Sequence, residues 1–208
     1  MLLLHWTIPF DVLRKHVPAA LSLDDYEGKY YVSLVAFTMQ NIRPKNFPAI
    51  KFISDFHEIN LRTYIDNANK KGVYFLNIGA EKYLSAIIAK SLSGLPYKKS
   101  IIKRTTGACR AIDLNNFDFD VSFEVREKIQ NKSNLDRWLT ERYSLYFDMK
   151  NKIYRYDIHH REWELRKVLL RNMNLKSSGD INLSNREPDL AHYSDGIDVL
   201  AWARQRNS

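Results

Sequence analysis

Two adjacent lysines, Lys98 and Lys99, are the residues best suited to covalent chemistry. A lysine amine is a nucleophile only when it is deprotonated, and the pKa of an unperturbed lysine is about 10.4. A second ammonium group nearby, or an apolar pocket, disfavours the charged form and frees the lone pair. The pair therefore indicates either a Schiff-base site or, because exposed lysines are common, two solvated side chains.

A second group of reactive side chains alternates along residues 56–65. Successive side chains of a strand point to opposite faces, so Glu58, Asn60, Arg62 and Tyr64 share one face. Arg62 can bind a carboxylate through two parallel hydrogen bonds, and Glu58 can take up or release a proton. The face is either a solvated sheet edge or the polar lining of a barrel.

The elements around these residues are a helix and many strands. Apolar residues recur at helical spacing over 84–92, and Gly94 and Pro96 predict the end of that helix just before a strand that starts at Tyr97. A capping box at Ser133 predicts a second helix that carries apolar residues from 135 to 143. Further strands are predicted at 1–8, 30–39, 56–65, 73–80, 100–104, 108–114, 117–126, 153–159 and 163–171, and within 191–202.

The order of these elements predicts the fold class. The chain shows no strand–helix–strand alternation, which argues against a doubly wound parallel sheet. We therefore predict an α+β protein with a mainly antiparallel or mixed closed β-barrel and flanking helices. The 208 residues are predicted to form one domain, 1–208, because no linker or repeat divides them.

Composition narrows the classes of partner. The formal charge is +8, but the basic residues are scattered and the aromatics alternate as core residues do, so we predict no nucleic-acid partner. The apolar start, 1–8, is too short to span a bilayer and lacks the features of a signal peptide, so no membrane association is predicted. The single cysteine, Cys109, excludes an internal disulfide and fits a reducing cytoplasm. A homo-oligomer is compatible with the sequence.

The histidines suggest a metal site only weakly. His159 and His160 are neighbours in a predicted strand and point to opposite faces, so at most one of them joins His192 in a given site. Hydrogen-bonded structural histidines and a buried structural thiol at Cys109 are the simpler interpretation. We predict no metal and no cofactor.

Several motifs in order resemble a known family. His5–Pro9, residues 56–64, the Gly-Leu-Pro-Tyr at 94–97 and residues 193–202 resemble the YqjF-like proteins, an uncharacterised bacterial group similar to acetoacetate decarboxylases. The resemblance covers nearly the whole chain and implies a closed β-barrel with a ligand cavity. Members usually carry some residues before the His-Trp motif, so this N-terminus looks short.

The resemblance to the decarboxylases themselves concerns fewer residues. Glu58 falls where one of their active-site glutamates would fall, and Pro96-Tyr97-Lys98-Lys99 resembles their Pro-Lys-Lys with one extra residue. Without a gap, Tyr97 takes the Schiff-base position and Lys98 that of the helper. With a shift of one residue, Lys98 becomes the nucleophile and Lys99 its activator, but such a shift exchanges the two faces of a strand. We favour the interpretation that neither lysine is a catalytic amine, because Tyr97 occupies the expected Schiff-base position and its phenol cannot form an imine.

Two functions stay open from the sequence. The first is a protein that binds a small carbonyl- or carboxylate-bearing molecule, with Arg62, Asn60, Tyr64, Tyr97 and Lys99 as ligand-binding residues in a cavity. The alternative is a Schiff-base lyase of the acetoacetate decarboxylase type that acts on a β-keto acid, with Lys98 and Glu58 as catalytic residues. The ligand and the oligomeric state are not determined by the sequence.

Overall fold

The computed structural model describes residues 1–43, 55–81, 95, 97–112 and 117–206. These residues form two helices, α1 (Phe10–Arg14) and α2 (Asn134–Thr140), and fourteen strands. The strands are β1 (Leu2–Ile8), β2 (Tyr30–Met39), β3 (Phe56–Asn67), β4 (Lys70–Ala80), β5 (Tyr97–Lys99), β6 (Ile101–Arg104), β7 (Ala108–Ile112), β8 (Phe117–Lys128), β9 (Ser144–Met149), β10 (Lys152–His159), β11 (Arg166–Ser177), β12 (Leu190–Tyr193), β13 (Leu200–Ala201) and β14 (Gln205–Arg206).

All these strands belong to one mixed sheet that is mainly antiparallel. Its order is β13-β10-β9-β4-β3-β2-β1-β12-β11-β8-β7-β6, with β14 added to β10 and β5 added to β4. The pairs β4–β5 and β4–β9 are parallel. The α+β class and the antiparallel-to-mixed character are therefore confirmed.

The predicted closure into a barrel was wrong for the residues that the structure describes. The sheet path is open, with β13 at one end and β6 at the other. The short strands β5 and β6 are separated only by Ser100, and the chain changes its pairing there. β5 pairs with β4, whereas β6 pairs with β7. The Ser100 backbone N–H still donates to Ala80, so the chain bends between two parts of the sheet without completing a continuous ladder.

The central strands bury both of their faces. One face of β1, β2 and β3 packs with residues of β6, β7, β8 and β11 in a core that includes Trp6, Leu34, Ile59 and Phe119. The opposite face of β3 and β4 packs against α2 and β9, through residues such as Tyr64 and Leu139. Because both faces are covered, a polar side chain on either one needs a partner inside the protein.

Most strand predictions agree with the structure, and the differences have local causes. The predicted strand at 163–171 runs instead from Arg166 to Ser177, because the Trp163 backbone N–H donates to the Glu141 side chain and the chain there is irregular. β9 was missed. The second helix was predicted correctly, and its capping box joins Ser133 and Asp136 in both directions. The predicted helix over 84–92 and the two residues predicted to end it, Gly94 and Pro96, lie outside the described residues.

Gly72 allows the parallel approach of β9 to β4. A Cβ atom at this position would lie 2.2 Å from the Ser144 carbonyl oxygen, which is a backbone atom and cannot rotate away.

We expect Gly72→Ala to destabilise the protein by about 3 kcal/mol or more, since the strands must separate. Urea unfolding measures this change. Gly28→Ala is the control: Gly28 has φ +76° and open space around it, so backbone strain of about 1 kcal/mol is expected there. Equal losses in the two variants would contradict the packing argument.

Candidate functional site

The Glu58 carboxyl group is the centre of the candidate site. Glu58 lies on β3 and is only 2% exposed. The Tyr97 hydroxyl donates to Oε2 at 2.8 Å, and the Asn60 amide donates to Oε1 at 3.0 Å. Tyr97 reaches Glu58 because β5 and β3 flank β4 on opposite sides, with Ile78 of β4 paired to both Tyr97 and Asn60.

The protonation of Glu58 is set mainly by its burial. Burial raises the pKa of Glu58 to about 7, although the hydrogen bonds from Asn60 and Tyr97 and the charge of Arg62 act in the lowering direction. Burial also raises the pKa of Tyr97 well above its usual value, and the Glu58 carboxylate adds to that rise. Tyr97 therefore stays a donor, whereas Glu58 changes charge near neutral pH.

The predicted polar row lies largely inside the protein. Asn60 and Tyr64 are buried, as Glu58 is, and Arg62 is half-buried, so the row does not face bulk water. Two buried atoms of the row, Asn60 Oδ1 and Arg62 Nε, have no hydrogen-bond partner among the described residues. A buried unpaired donor or acceptor costs about 1–3 kcal/mol, so these two atoms oppose folding unless another group pairs them. Seven other described residues also carry such an atom. The cavity expected in front of the row stays a prediction.

A second cation stands beside Arg62. Arg142 is buried, forms a 2.5 Å ion pair with Asp24, and lies 5.0 Å from the ring centre of Tyr64 and 4.2 Å from that of Trp138. Burial lowers the pKa of Arg62, and the nearby Arg142 guanidinium contributes to this lowering. Because arginine stays protonated in proteins, two positive charges stand near Tyr64, and the Asp24 carboxylate pairs with that of Arg142.

The two lysines differ from Tyr97 in their surroundings. Lys98 and Lys99 are both exposed, whereas Tyr97 is buried. Lys99 pairs with Ala80, which itself pairs with Glu58, so the register puts Lys99 on the Glu58 side of the sheet and Lys98 on the opposite side. The contact with Glu58 comes from Tyr97. The catalytic role of Lys98 and the ligand-binding role of Lys99 stay predictions.

Four further polar residues cluster around Tyr64 and were not predicted as site residues. His5 and Ser33 are fully buried on β1 and β2, and His192 and Asp136 continue the group from β12 and α2. His5 was quoted only as part of a motif, His192 only as a metal candidate, and Asp136 only as a helix cap. The sequence held a signal for this cluster, since the polar residues His5 and Ser33 interrupt otherwise apolar buried strands. The two partners of His5, however, are Ser33 and His192, which lie 28 and 187 residues away along the chain.

The remaining predicted candidates lie outside this cluster. His159 is exposed, and His160 contacts the backbone oxygens of Arg161 and Arg142. Cys109 is buried, and burial raises the pKa of its thiol to about 11, which disfavours a nucleophilic thiolate. In the part of the chain that the structure describes, no three His, Cys, Asp or Glu side chains gather as a metal site, and no helix is long and apolar enough to cross a membrane.

One surface cleft among the described residues is separate from Glu58. It has a volume of about 520 Å³ and lies between the β3–β4 turn and β10. Its lining includes Lys70, Lys71, Tyr143, Asp157 and Trp202, and none of the predicted site residues. The candidate site therefore rests on buried polar contacts and not on an open cleft among the described residues.

Solved structures of known enzymes share this fold. An acetoacetate decarboxylase-like enzyme from Sphingomonas wittichii RW1 superposes with a TM-score of 0.65 and 13% identity, covering 100% of this chain and 89% of that one. The enduracididine biosynthesis enzyme MppR complexed with pyruvate gives a TM-score of 0.58 and 8% identity, covering 99% and 86%. At such low identity the likeness shows the fold alone.

Sequence comparison shows the family. The model of DUF2071, described as an uncharacterized conserved protein, matches residues 1–198. The uncharacterized protein YqjF of Bacillus subtilis (strain 168) is 33% identical over 217 residues, covering 97% of this chain and 87% of that protein. The YqjF-like resemblance and the acetoacetate-decarboxylase-like fold are thus both confirmed, and the chain belongs to the DUF2071 family.

Proposed function

We propose that this protein binds a small molecule that carries a carboxylate or carbonyl group at the site formed by Glu58, Asn60, Arg62 and Tyr97. The observation that carries the proposal is the pair of buried unpaired atoms, Asn60 Oδ1 and Arg62 Nε, on the same strand face as a buried carboxyl. Together they offer an acceptor, a cationic donor and a group that changes charge near pH 7. In native proteins most buried polar atoms are paired, so these two atoms are candidates to bind groups of a ligand.

The charges favour an anionic ligand. Arg62 and Arg142 contribute two positive charges, and guanidinium groups bind carboxylates with matched geometry. Lys99 is exposed on the Glu58 side of the sheet and adds a further positive charge on that side. When Glu58 is protonated it places no negative charge against an incoming carboxylate.

The fold neighbours suggest the class of anion. One is described as acetoacetate decarboxylase-like, and another was solved with pyruvate bound. Both oxo acids in these names carry a carboxylate and a ketone, which are directly bonded in pyruvate and separated by one methylene group in acetoacetate. A 2- or 3-oxo acid would satisfy Arg62 through its carboxylate and a protonated Glu58 through its carbonyl oxygen.

The side chains favour binding over imine chemistry. A Schiff base needs an amine beside the ligand, and the residue that contacts Glu58 is the phenol of Tyr97. Lys98 points to the opposite side of the sheet by register. We therefore propose a binding protein and retain the lyase as the outcome that would replace it.

Removal of the Arg62 charge tests the proposal directly. We expect pyruvate or acetoacetate to bind the wild-type protein, and Arg62→Gln to weaken that binding at least about tenfold, because a charged hydrogen bond contributes about 1.5–3 kcal/mol. Titration calorimetry measures the affinity. Arg155→Gln is the matched control, since Arg155 is a largely buried arginine on β10 that pairs with Asp157. Equal weakening in the two variants would reject a role for Arg62 in binding.

The buried carboxyl of Glu58 predicts a pH dependence of stability. Its folded pKa of about 7 lies above the ordinary value of 4.5, so between these pH values the folded state holds a proton that the unfolded state has lost. Stability therefore falls as pH rises from 4.5 through 7, by about 3 kcal/mol in total.

Glu58→Gln removes this ionisation. We expect the variant to gain about 3 kcal/mol relative to wild type between pH 4 and pH 8 in urea unfolding. Glu187→Gln, at an exposed glutamate, is the control and should show no such gain. A wild-type–variant difference that stays constant with pH would show that burial does not shift the pKa of Glu58.

Borohydride trapping separates binding from lyase chemistry. With pyruvate or acetoacetate and borohydride, we expect no covalent adduct on Lys98 or Lys99 by peptide mass mapping. The reason is that the residue beside the Glu58 carboxyl is a phenol. An adduct on Lys98 that disappears in Lys98→Ala would replace the binding proposal with a Schiff-base lyase.

A further inference from the structure

Five side chains form one continuous hydrogen-bonded chain that leads to Tyr64. Asp136 Oδ1 lies 2.9 Å from His192 Nε2, and His192 Nδ1 lies 3.2 Å from His5 Nε2. His5 Nδ1 lies 2.6 Å from Ser33 Oγ, which lies 2.5 Å from the Tyr64 hydroxyl. The chain starts on α2 and crosses the adjacent strands β12, β1, β2 and β3, and every member is less than one-tenth exposed.

The donors and acceptors of this chain can be assigned in one way. A carboxylate only accepts, so His192 donates to Asp136 through Nε2. Burial lowers the pKa of His192, and of His5 well below its usual value, so both rings are neutral and each donates through one nitrogen. His192 Nδ1 must then accept from His5 Nε2, and His5 Nδ1 must accept from Ser33.

The last link follows from the same logic. Ser33 has one hydroxyl proton and directs it to His5, so Ser33 must accept from Tyr64. The Tyr64 hydroxyl also lies 3.4 Å from His5 Nδ1, but the 2.6 Å contact of Ser33 takes that acceptor. Burial raises the pKa of Tyr64, so the phenol keeps its proton, and that proton points toward Ser33.

We propose that Asp136, His192, His5 and Ser33 are positioning residues that set the hydrogen-bond polarity of Tyr64 at the candidate site. With its proton committed to Ser33, the Tyr64 oxygen presents lone pairs to its neighbours. Arg62 lies near enough to act on the ionisation of Tyr64, and a guanidinium can only donate. The chain thus makes Tyr64 an acceptor that orients Arg62. The consequence for ligand binding rests on the proposed function, whereas the polarity of the chain does not.

A backbone group makes the polarity reversible by a single substitution. The second oxygen of Asp136, Oδ2, accepts the backbone N–H of Ser133 at 2.8 Å, and that donor cannot be reversed. In Asp136→Asn the amide oxygen must face Ser133, so the amide NH₂ faces His192 Nε2. Because two donors cannot face each other, His192 must move its proton to Nδ1. His5 must then do the same. Ser33 then accepts from His5, which frees its own proton, and we expect Tyr64 to accept that proton and to direct its own toward Arg62.

Long-range ¹H–¹⁵N NMR of the imidazole rings tests this inference without a ligand. We expect His5 and His192 to be neutral Nε2–H tautomers in the wild-type protein at pH 7, and both to become Nδ1–H tautomers in Asp136→Asn. Asp148→Asn is the matched control, since Asp148 accepts from Tyr74 outside the chain and its change should leave both tautomers as they are. A charged ring in the wild type, or a change confined to His192, would overturn the inference.

Ser33→Ala tests the same coupling from its other end. This variant breaks the link to Tyr64 and leaves Asp136 in place, so both histidines should keep the Nε2–H form. If Ser33→Ala changes the tautomers, then Asp136 does not set the polarity. The variant also provides a test if Asp136→Asn fails to fold, which circular dichroism would reveal.

Pyruvate affinity gives the second readout. In Asp136→Asn the Tyr64 proton faces the Arg62 donor, so we expect pyruvate binding to weaken about tenfold, with no change in Asp148→Asn. Unchanged affinity together with reversed tautomers would show that the chain does not position Arg62. If pyruvate fails to bind even the wild-type protein, the proposed function fails, while the tautomer measurement still decides the polarity of the chain.

Discussion

The burial of polar side chains on one face of the central strands is the constraint on which the site depends. β3 and β4 are covered by α2 and β9 on the face that carries Glu58, Asn60 and Tyr64. A polar group that is removed from water must find a partner inside or destabilise the fold. Glu58 and Tyr64 meet this requirement with residues of other strands, whereas one atom each of Asn60 and Arg62, on the face proposed to bind a ligand, does not meet it.

Two kinds of polar group share this face and behave differently. Glu58 is a carboxyl whose burial brings its pKa to about 7, so it changes charge near neutral pH. Tyr64 keeps its proton and is held in a chain whose far end is a carboxylate at the start of α2. Arg62 lies between them in sequence and acts on the ionisation of both. The site therefore combines Glu58, whose carboxyl group titrates near neutral pH, with Tyr64, whose hydroxyl donates in one direction.

A shared fold does not imply shared chemistry in this protein. The sheet superposes on that of an acetoacetate decarboxylase-like enzyme, although only 13% of residues are identical. At the strand start where a lysine would be needed for an imine, the chain presents Tyr97 toward Glu58 and leaves Lys98 and Lys99 exposed. Because neighbouring strand residues point to opposite faces, Tyr97 and Lys98 cannot both face Glu58.

The sequence by itself determined the local structure and the composition of the polar row. Alternation predicted most of β3 and most of β8, because a period of two is a property of neighbouring residues. Residue content predicted β2, and the capping box predicted α2, for the same reason of local origin. Only the tertiary structure decided which residues meet. Tyr97 and Glu58 are 39 positions apart, and His5 and His192 are 187 apart, so their contacts depend on strand pairing that no local pattern encodes. The open sheet has the same origin, since closure depends on whether β5 and β6 keep one partner or change it at Ser100.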